Sequence, residues 1–161
     1  MIHHNPMMIA VAPNGARKQK TDHSSFPITP SELADSAVEC RDAGACMIHL
    51  HVRDGQGGHS LDVNAYRAAT TAVRNAVGDD MIIQITTEAV GIYSIDQQIQ
   101  TVQELKPEAV SLAVRELCPR AEDEIKAASF FAWLQQERVA AQYILYSAAD
   151  VERFDALRKR G

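Results

Sequence analysis

The feature that most narrows the fold is the regular alternation of short apolar runs with longer amphipathic ones along the 161-residue chain. Apolar runs at residues 8–12, 46–52, 81–87, 109–114 and 142–146 are each followed by a segment of helical periodicity. A strand that re-enters a sheet after a helical crossover must run parallel to its predecessor, so successive strand-helix units imply a parallel sheet with right-handed connections. No linker or low-complexity tract interrupts the alternation, which makes residues 1–161 one domain of five such units.

Local punctuation agrees with this reading. Pro13-Asn14-Gly15 is a turn-type tripeptide that ends the first strand. In Thr29-Pro30-Ser31-Glu32, Thr29 can cap a helix, Pro30 fits its first position and Glu32 closes a capping box. That helix extends to about residue 43, with Leu33, Ala37 and Val38 on one face and Gly44 as its stop. Residues 53–60 read as a glycine-rich loop, and residues 62–77 as a helix ended by Gly78. Ser94 and Gln97 form a second capping box for a helix that finishes before Pro107. Residues 122–137 carry Ile125, Phe130, Trp133 and Leu134 as an apolar, core-facing stripe, and residues 150–160 turn Val151, Phe154 and Leu157 inward.

An open doubly wound sheet and a closed barrel both satisfy this pattern. No GxGxxG follows the first strand, which weakens the dinucleotide-binding form of the open sheet. Strand chemistry favours the barrel. Side chains alternate faces, so in residues 47–53 His49, His51 and Arg53 share one face while Ile48, Leu50 and Val52 share the other. In a barrel the aliphatic set packs beneath the helices and the polar set points into the barrel near its carboxyl-terminal mouth, where active sites of this fold lie. Two imidazoles at i and i+2 can converge on one ion, and zinc suits nitrogen ligands. The spacing alone leaves open a pair of hydrogen-bonded core histidines.

Other strands are sorted in the same way. Gln84, Thr86 and Glu88 alternate with Ile83 and Ile85, and Ser111 and Arg115 oppose Val110, Leu112 and Val114. Thr86 and Ser111 can line a substrate pocket or bond backbone inside the barrel. Asn14 and Gly15 fall where a loop after the first strand would reach the same pocket. His3, His4, His23 and His59 lie in terminal or loop segments and are set aside as ligands. The expected fold class is therefore α/β, a (β/α)8 TIM-barrel type truncated to about five βα units.

Charge removes some alternatives. A formal charge of −5 and a pI near 5.6 oppose binding to a phosphate backbone, so no nucleic-acid partner is expected. No apolar run approaches the roughly 20 residues that span a bilayer, and residues 1–8 lack a signal-peptide core. No membrane association and a cytoplasmic location are the corresponding expectations. Cys40, Cys46 and Cys118 show no CxxC spacing and read as free, partly buried thiols.

Residues 12–16 (APNGA), Pro27-Ile28-Thr29-Pro30 with Glu32, Ala43-Gly44-Ala45 leading into residues 48–54 (IHLHVRD), and Gln84-Ile85-Thr86-Thr87 together resemble the β-keto acid cleavage enzymes, typified by the 3-keto-5-aminohexanoate cleavage enzyme of lysine fermentation. The resemblance covers nearly the whole chain. It implies a (β/α)8 barrel that uses zinc to bind a β-keto acid, which reacts with acetyl-CoA to give acetoacetate and a new acyl-CoA. It further implies that His49 and His51 are zinc ligands and that Thr86 and Ser111 contact substrate, with Asn14 and Arg53 as additional candidates in the pocket. The ion would chelate the keto and carboxylate oxygens and polarise the carbonyl.

The family's third ligand, a glutamate late in the barrel, and its catalytic aspartate and arginine are expected beyond Gly161. Glu88-Ala89-Val90-Gly91 stands where many members have a glycine-rich turn, and Ala113 where an asparagine is common. The expectation is a zinc-dependent, carbon-carbon bond-cleaving acyltransferase with Zn2+ as cofactor and acetyl-CoA as co-substrate. The alternatives are an inactive barrel fragment and a small metal-binding or scaffold protein. A homo-oligomer is also expected, because five strands leave two sheet edges unpaired.

Overall fold

The computed structural model describes residues 7–160. Strand β1 (Ala10–Val11) leads to helix α1 (Pro30–Asp42), and β2 (Met47–His49) to a small hairpin, β3 (Val52–Arg53) with β4 (His59–Ser60). Then come α2 (Val63–Val77), β5 (Ile82–Thr86), α3 (Ile95–Leu105), β6 (Ala109–Ala113), the short α4 (Val114–Leu117), α5 (Glu124–Gln136), β7 (Ala140–Ile144) and α6 (Ala148–Arg160). The main sheet is parallel throughout, in the order β1-β2-β5-β6-β7.

This order decides between the two candidate architectures. A doubly wound sheet reverses its direction of growth at a switch point. Here each new strand adds beside the last, as in a barrel, and the fold is an arc of a (β/α) barrel.

Register assigns the faces. Ile85, Val110 and Ala141 are aligned across three strands, as are Thr86, Ser111 and Gln142 two half-pleats of side-chain alternation away from Gln84. Ile48, Ile83, Ile85, Val110 and Leu112 pack under the helices with Leu33, Tyr66, Val73, Val102 and Leu134. Full burial of each such aliphatic side chain contributes roughly 1.5–3 kcal/mol. The opposite face carries His49, Gln84, Thr86, Ser111 and Gln142. Gln84 Nε2 donates to Gln142 Oε1 at 2.8 Å. With strands about 4.8 Å apart, that contact passes over β6 and requires the sheet to curl toward its polar side.

Both expected capping boxes form: Thr29 and Glu32 close one at α1, and Ser94 and Gln97 another at α3. Asp62 caps α2 through the Ala65 amide at 2.7 Å. Among the described residues no helix is long and apolar enough to cross a membrane.

Several expectations are corrected. The second strand stops at His49 rather than residue 52, because the His51 amide donates to Asn14 Oδ1 at 3.0 Å. The expected loop at residues 53–60 contains the β3–β4 hairpin. Its turn is held by Asp54 Oδ1, which accepts from the Gln56 and Gly58 amides at 2.9 and 2.8 Å. A Cβ on Gly58 would fall 2.8 Å from Asp54 Oδ2, so a larger residue there would displace the carboxylate that holds the turn.

Glu88 follows β5, and Arg115 sits on α4 instead of extending the β6 face. The fifth strand is shifted to Ala140–Ile144. Ile125 is 82% exposed; five residues before Phe130, it is rotated about 140° off the apolar stripe. Val151 is 52% exposed, while Phe154 and Leu157 pack partly against Val114, Cys118 and Ala127. Cys40, Cys46 and Cys118 are free thiols, the last buried.

Candidate functional site

His49 ends β2, and His51 follows it on backbone that has left the ladder. Their Nε2 atoms nevertheless converge to 3.0 Å, with the rings edge to face. Each ring is steered by a different means. His49 Nδ1 lies 2.8 Å from Gln84 Oε1; with the amide carbonyl accepting there, His49 carries its proton on Nδ1 and presents Nε2 as a lone pair. Gln84 is held in turn by Gln142.

His51 is fixed through its backbone. Asn14 accepts from the His51 amide and donates to the His51 carbonyl at 2.9 Å, while its second amide hydrogen reaches the Pro27 carbonyl at 3.1 Å. A side chain from the loop after β1 thus occupies both polar groups of the residue.

Burial sets the protonation of these rings. It lowers the pKa of His49 and of His59, and pushes that of His51 down to about 3, with His49, His59 and Arg53 adding like-charge repulsion. All three imidazoles are neutral near pH 7, the form in which histidine binds a metal.

Two nitrogen ligands at about 2.0–2.1 Å from a tetrahedral ion are about 3.3 Å apart. The observed 3.0 Å separation, at which His51 Nε2–H donates a hydrogen bond to the His49 Nε2 lone pair, is close to such a bite. Among the described residues no group of three or more His, Cys, Asp or Glu side chains is arranged to hold an ion, so the pair alone would form a two-ligand half-site.

The remaining candidates differ in what they have free. The Arg53 guanidinium is buried and donates to the carbonyls of Gly15, Lys18 and Val52, which ties the β1–α1 loop to the hairpin. Asn14 is fully engaged with backbone. Thr86 accepts the Glu88 amide on its hydroxyl at 3.0 Å and the Tyr66 hydroxyl on its carbonyl at 3.2 Å. Ser111 stands next to Thr86 in register; its Oγ is buried and has no hydrogen-bond partner, leaving it open to a ligand oxygen.

His3 and His4 lie outside the described residues. His23 is exposed in the β1–α1 loop. His59, set aside as a loop residue, is 7% exposed, and its ring centroid is 5.3 Å from that of His51. Its Nε2 donates to the Glu88 carbonyl at 2.9 Å. The glycine-rich stretch between Arg53 and His59 was the available signal for a hairpin that would bring His59 back to the site. A cleft of about 530 Å³ opens at the same end of the sheet, lined by Gly15, Lys18, Glu88, Arg115, Glu116 and Tyr146 among others.

The chain is similar in sequence to proteins of known activity. The family model for the beta-keto acid cleavage enzyme matches residues 6–161. The 3-keto-5-aminohexanoate cleavage enzymes of Fusobacterium nucleatum and of Acetoanaerobium sticklandii are each 34% identical over 106 residues, covering 66% of this chain and 38% of theirs. The 3-dehydrocarnitine:acetyl-CoA trimethylamine transferase of Rhizobium meliloti is 35% identical over 81 residues, covering 50% of this chain and 27% of its own. The aligned part thus spans well under half the length of these relatives. With the family model matching all but the first few residues, and with a parallel arc carrying paired imidazoles at its carboxyl-terminal end, the chain belongs to the beta-keto acid cleavage enzyme family.

Proposed function

We propose that this chain carries the metal-binding and substrate-facing part of a zinc-dependent β-keto acid cleavage enzyme, which condenses a β-keto acid with acetyl-CoA to release acetoacetate and an acyl-CoA. The observation that carries the reading is the 3.0 Å approach of two neutral imidazole Nε2 atoms at the mouth of the barrel arc. The names of the relatives support acetyl-CoA as co-substrate.

Zinc held by His49 and His51 would supply Lewis-acid polarisation of a keto carbonyl. The protein's own groups prepare the place for it. Gln84 keeps the His49 lone pair turned inward, and Asn14 holds the His51 backbone in position. Ser111 Oγ offers an uncommitted hydroxyl to an oxygen of the substrate, with Thr86 beside it. In this reading the third ligand comes from outside residues 7–160.

The test is zinc affinity by chelator competition in protein that contains the complete barrel, in wild type and in His49→Ala. Loss of stoichiometric zinc in the variant is the expected result. Zinc retained at wild-type affinity would overturn the assignment. Acetyl-CoA consumption with a panel of β-keto acids, followed in protein that contains the complete barrel, is expected to disappear with the same substitution.

A further inference from the structure

The two proposed ligands are not equally prepared. His49 has its outer ring nitrogen bonded to Gln84, whereas His51 Nδ1 is buried without a hydrogen-bond partner. Metal-ligating histidines almost always donate their second ring N–H, and that bond fixes which nitrogen faces the ion. The group facing His51 Nδ1 is the Glu88 carboxylate, with Oε2 at 3.9 Å.

Glu88 is itself held from three directions. Its amide donates to Thr86 Oγ1 at 3.0 Å, and its carbonyl accepts from His59 Nε2 at 2.9 Å. The next amide, that of Ala89, donates to Glu116 Oε2 at 3.3 Å. His59 is backed by Tyr93, whose hydroxyl donates to the His59 carbonyl at 3.2 Å. The turn after β5 is thereby aimed at His51 by the hairpin that packs over it.

We propose that Glu88 is a positioning residue for the metal centre: its carboxylate accepts a hydrogen bond from His51 Nδ1–H when Nε2 binds the ion, and the His59–Tyr93 pair holds the Glu88 backbone beside that ring. The inference rests on the ligand role of His51 proposed above and adds the group that orients it. Glu88 does for His51 what Gln84 does for His49. A carboxylate makes His51 the more basic ligand of the two, since a charged acceptor strengthens the hydrogen bond from Nδ1–H and raises electron density on the far nitrogen.

The experiment measures zinc affinity by chelator competition, in protein that contains the complete barrel, for wild type, Glu88→Gln, Glu88→Asp and His49→Ala. It is paired with the His51 Nδ1–H resonance in the zinc-loaded, 15N-labelled protein. Glu88→Gln is expected to weaken zinc binding about 10-fold or more and to move the Nδ1 proton upfield, because a neutral acceptor replaces a charged one. Glu88→Asp, which keeps the charge, is expected to restore part of both.

Wild-type affinity and an unmoved Nδ1 resonance in Glu88→Gln, with zinc lost in His49→Ala, would overturn the role of Glu88 and leave the histidine pair standing. Zinc retained in His49→Ala would remove the metal centre and this inference with it. The Glu88 side chain is 30% exposed and the glutamine is isosteric, so the fold is expected to tolerate the change.

Discussion

Strands β6 and β7 have neighbouring places in the same sheet and opposite environments. All five residues of β6 are buried, whereas β7, its partner on one side, contains none. The helices repeat the contrast. Tyr66, Ala69, Val73 and Val77 of α2 are buried, while α6 buries no residue at all. Both pairs follow the same strand-helix plan, so the difference comes from neighbours. In a barrel each unit is covered by the next, and a strand with a partner on one side has half its packing.

The strongest test of that contrast compares two truncations. Ile85→Ala removes a fully buried side chain between β2 and β6 and is expected to cost about 3 kcal/mol of unfolding free energy. Val151→Ala, on the exposed α6, is expected to change stability by less than about 0.5 kcal/mol. Urea denaturation followed by circular dichroism measures both. Similar costs would show that the two regions are equally packed.

A smaller effect concerns helix entry. Helices α1 and α3 begin with capping boxes, and α5 begins on Asp123 with no side-chain cap. Ser94→Ala is expected to cost about 1 kcal/mol in the same assay, because it frees the Gln97 amide. Unchanged stability in Ser94→Ala would show that the capping box adds nothing to α3.

The smallest effect is electrostatic and belongs to the first helix. Lys20, followed by the Thr29 and Ile28 amides, holds the Glu32 carboxyl down at about 2, below its ordinary 4.5. A carboxylate with a depressed pKa stabilises the folded state above its unfolded value and loses that contribution as it is protonated. Stability from this group is therefore complete above about pH 5 and falls away as the pH drops from 4.5 toward 2. Solvent around the pair limits the amount to about 0.5 kcal/mol. Glu32→Gln should remove that increment of acid sensitivity; an unchanged pH profile would show that Lys20 and Glu32 do not couple in solution.

What the sequence disclosed follows from the range of each interaction. The strand-helix alternation, both capping boxes and the sorting of Gln84, Thr86 and Ser111 against their aliphatic neighbours are encoded within a few residues, and they are visible by inspection. The early end of β2 is not, because it depends on Asn14, 37 residues away, taking the His51 amide. The burial of His59 likewise depends on a hairpin folding back over the turn after β5. Ile125 and Val151 depart from the inward faces their sequence pattern assigns for a simpler reason: an apolar side chain identifies a face only when something lies against that face.

The glutamine pair on the polar side of the sheet has a mechanical corollary. Gln142 belongs to the outermost strand, and through Gln84 it determines which way the His49 ring is turned. The aim of an imidazole on the second main strand is thus tied to the tilt of the fifth. A change in the tilt of β7 would therefore be felt at the His49 ring, three strands away.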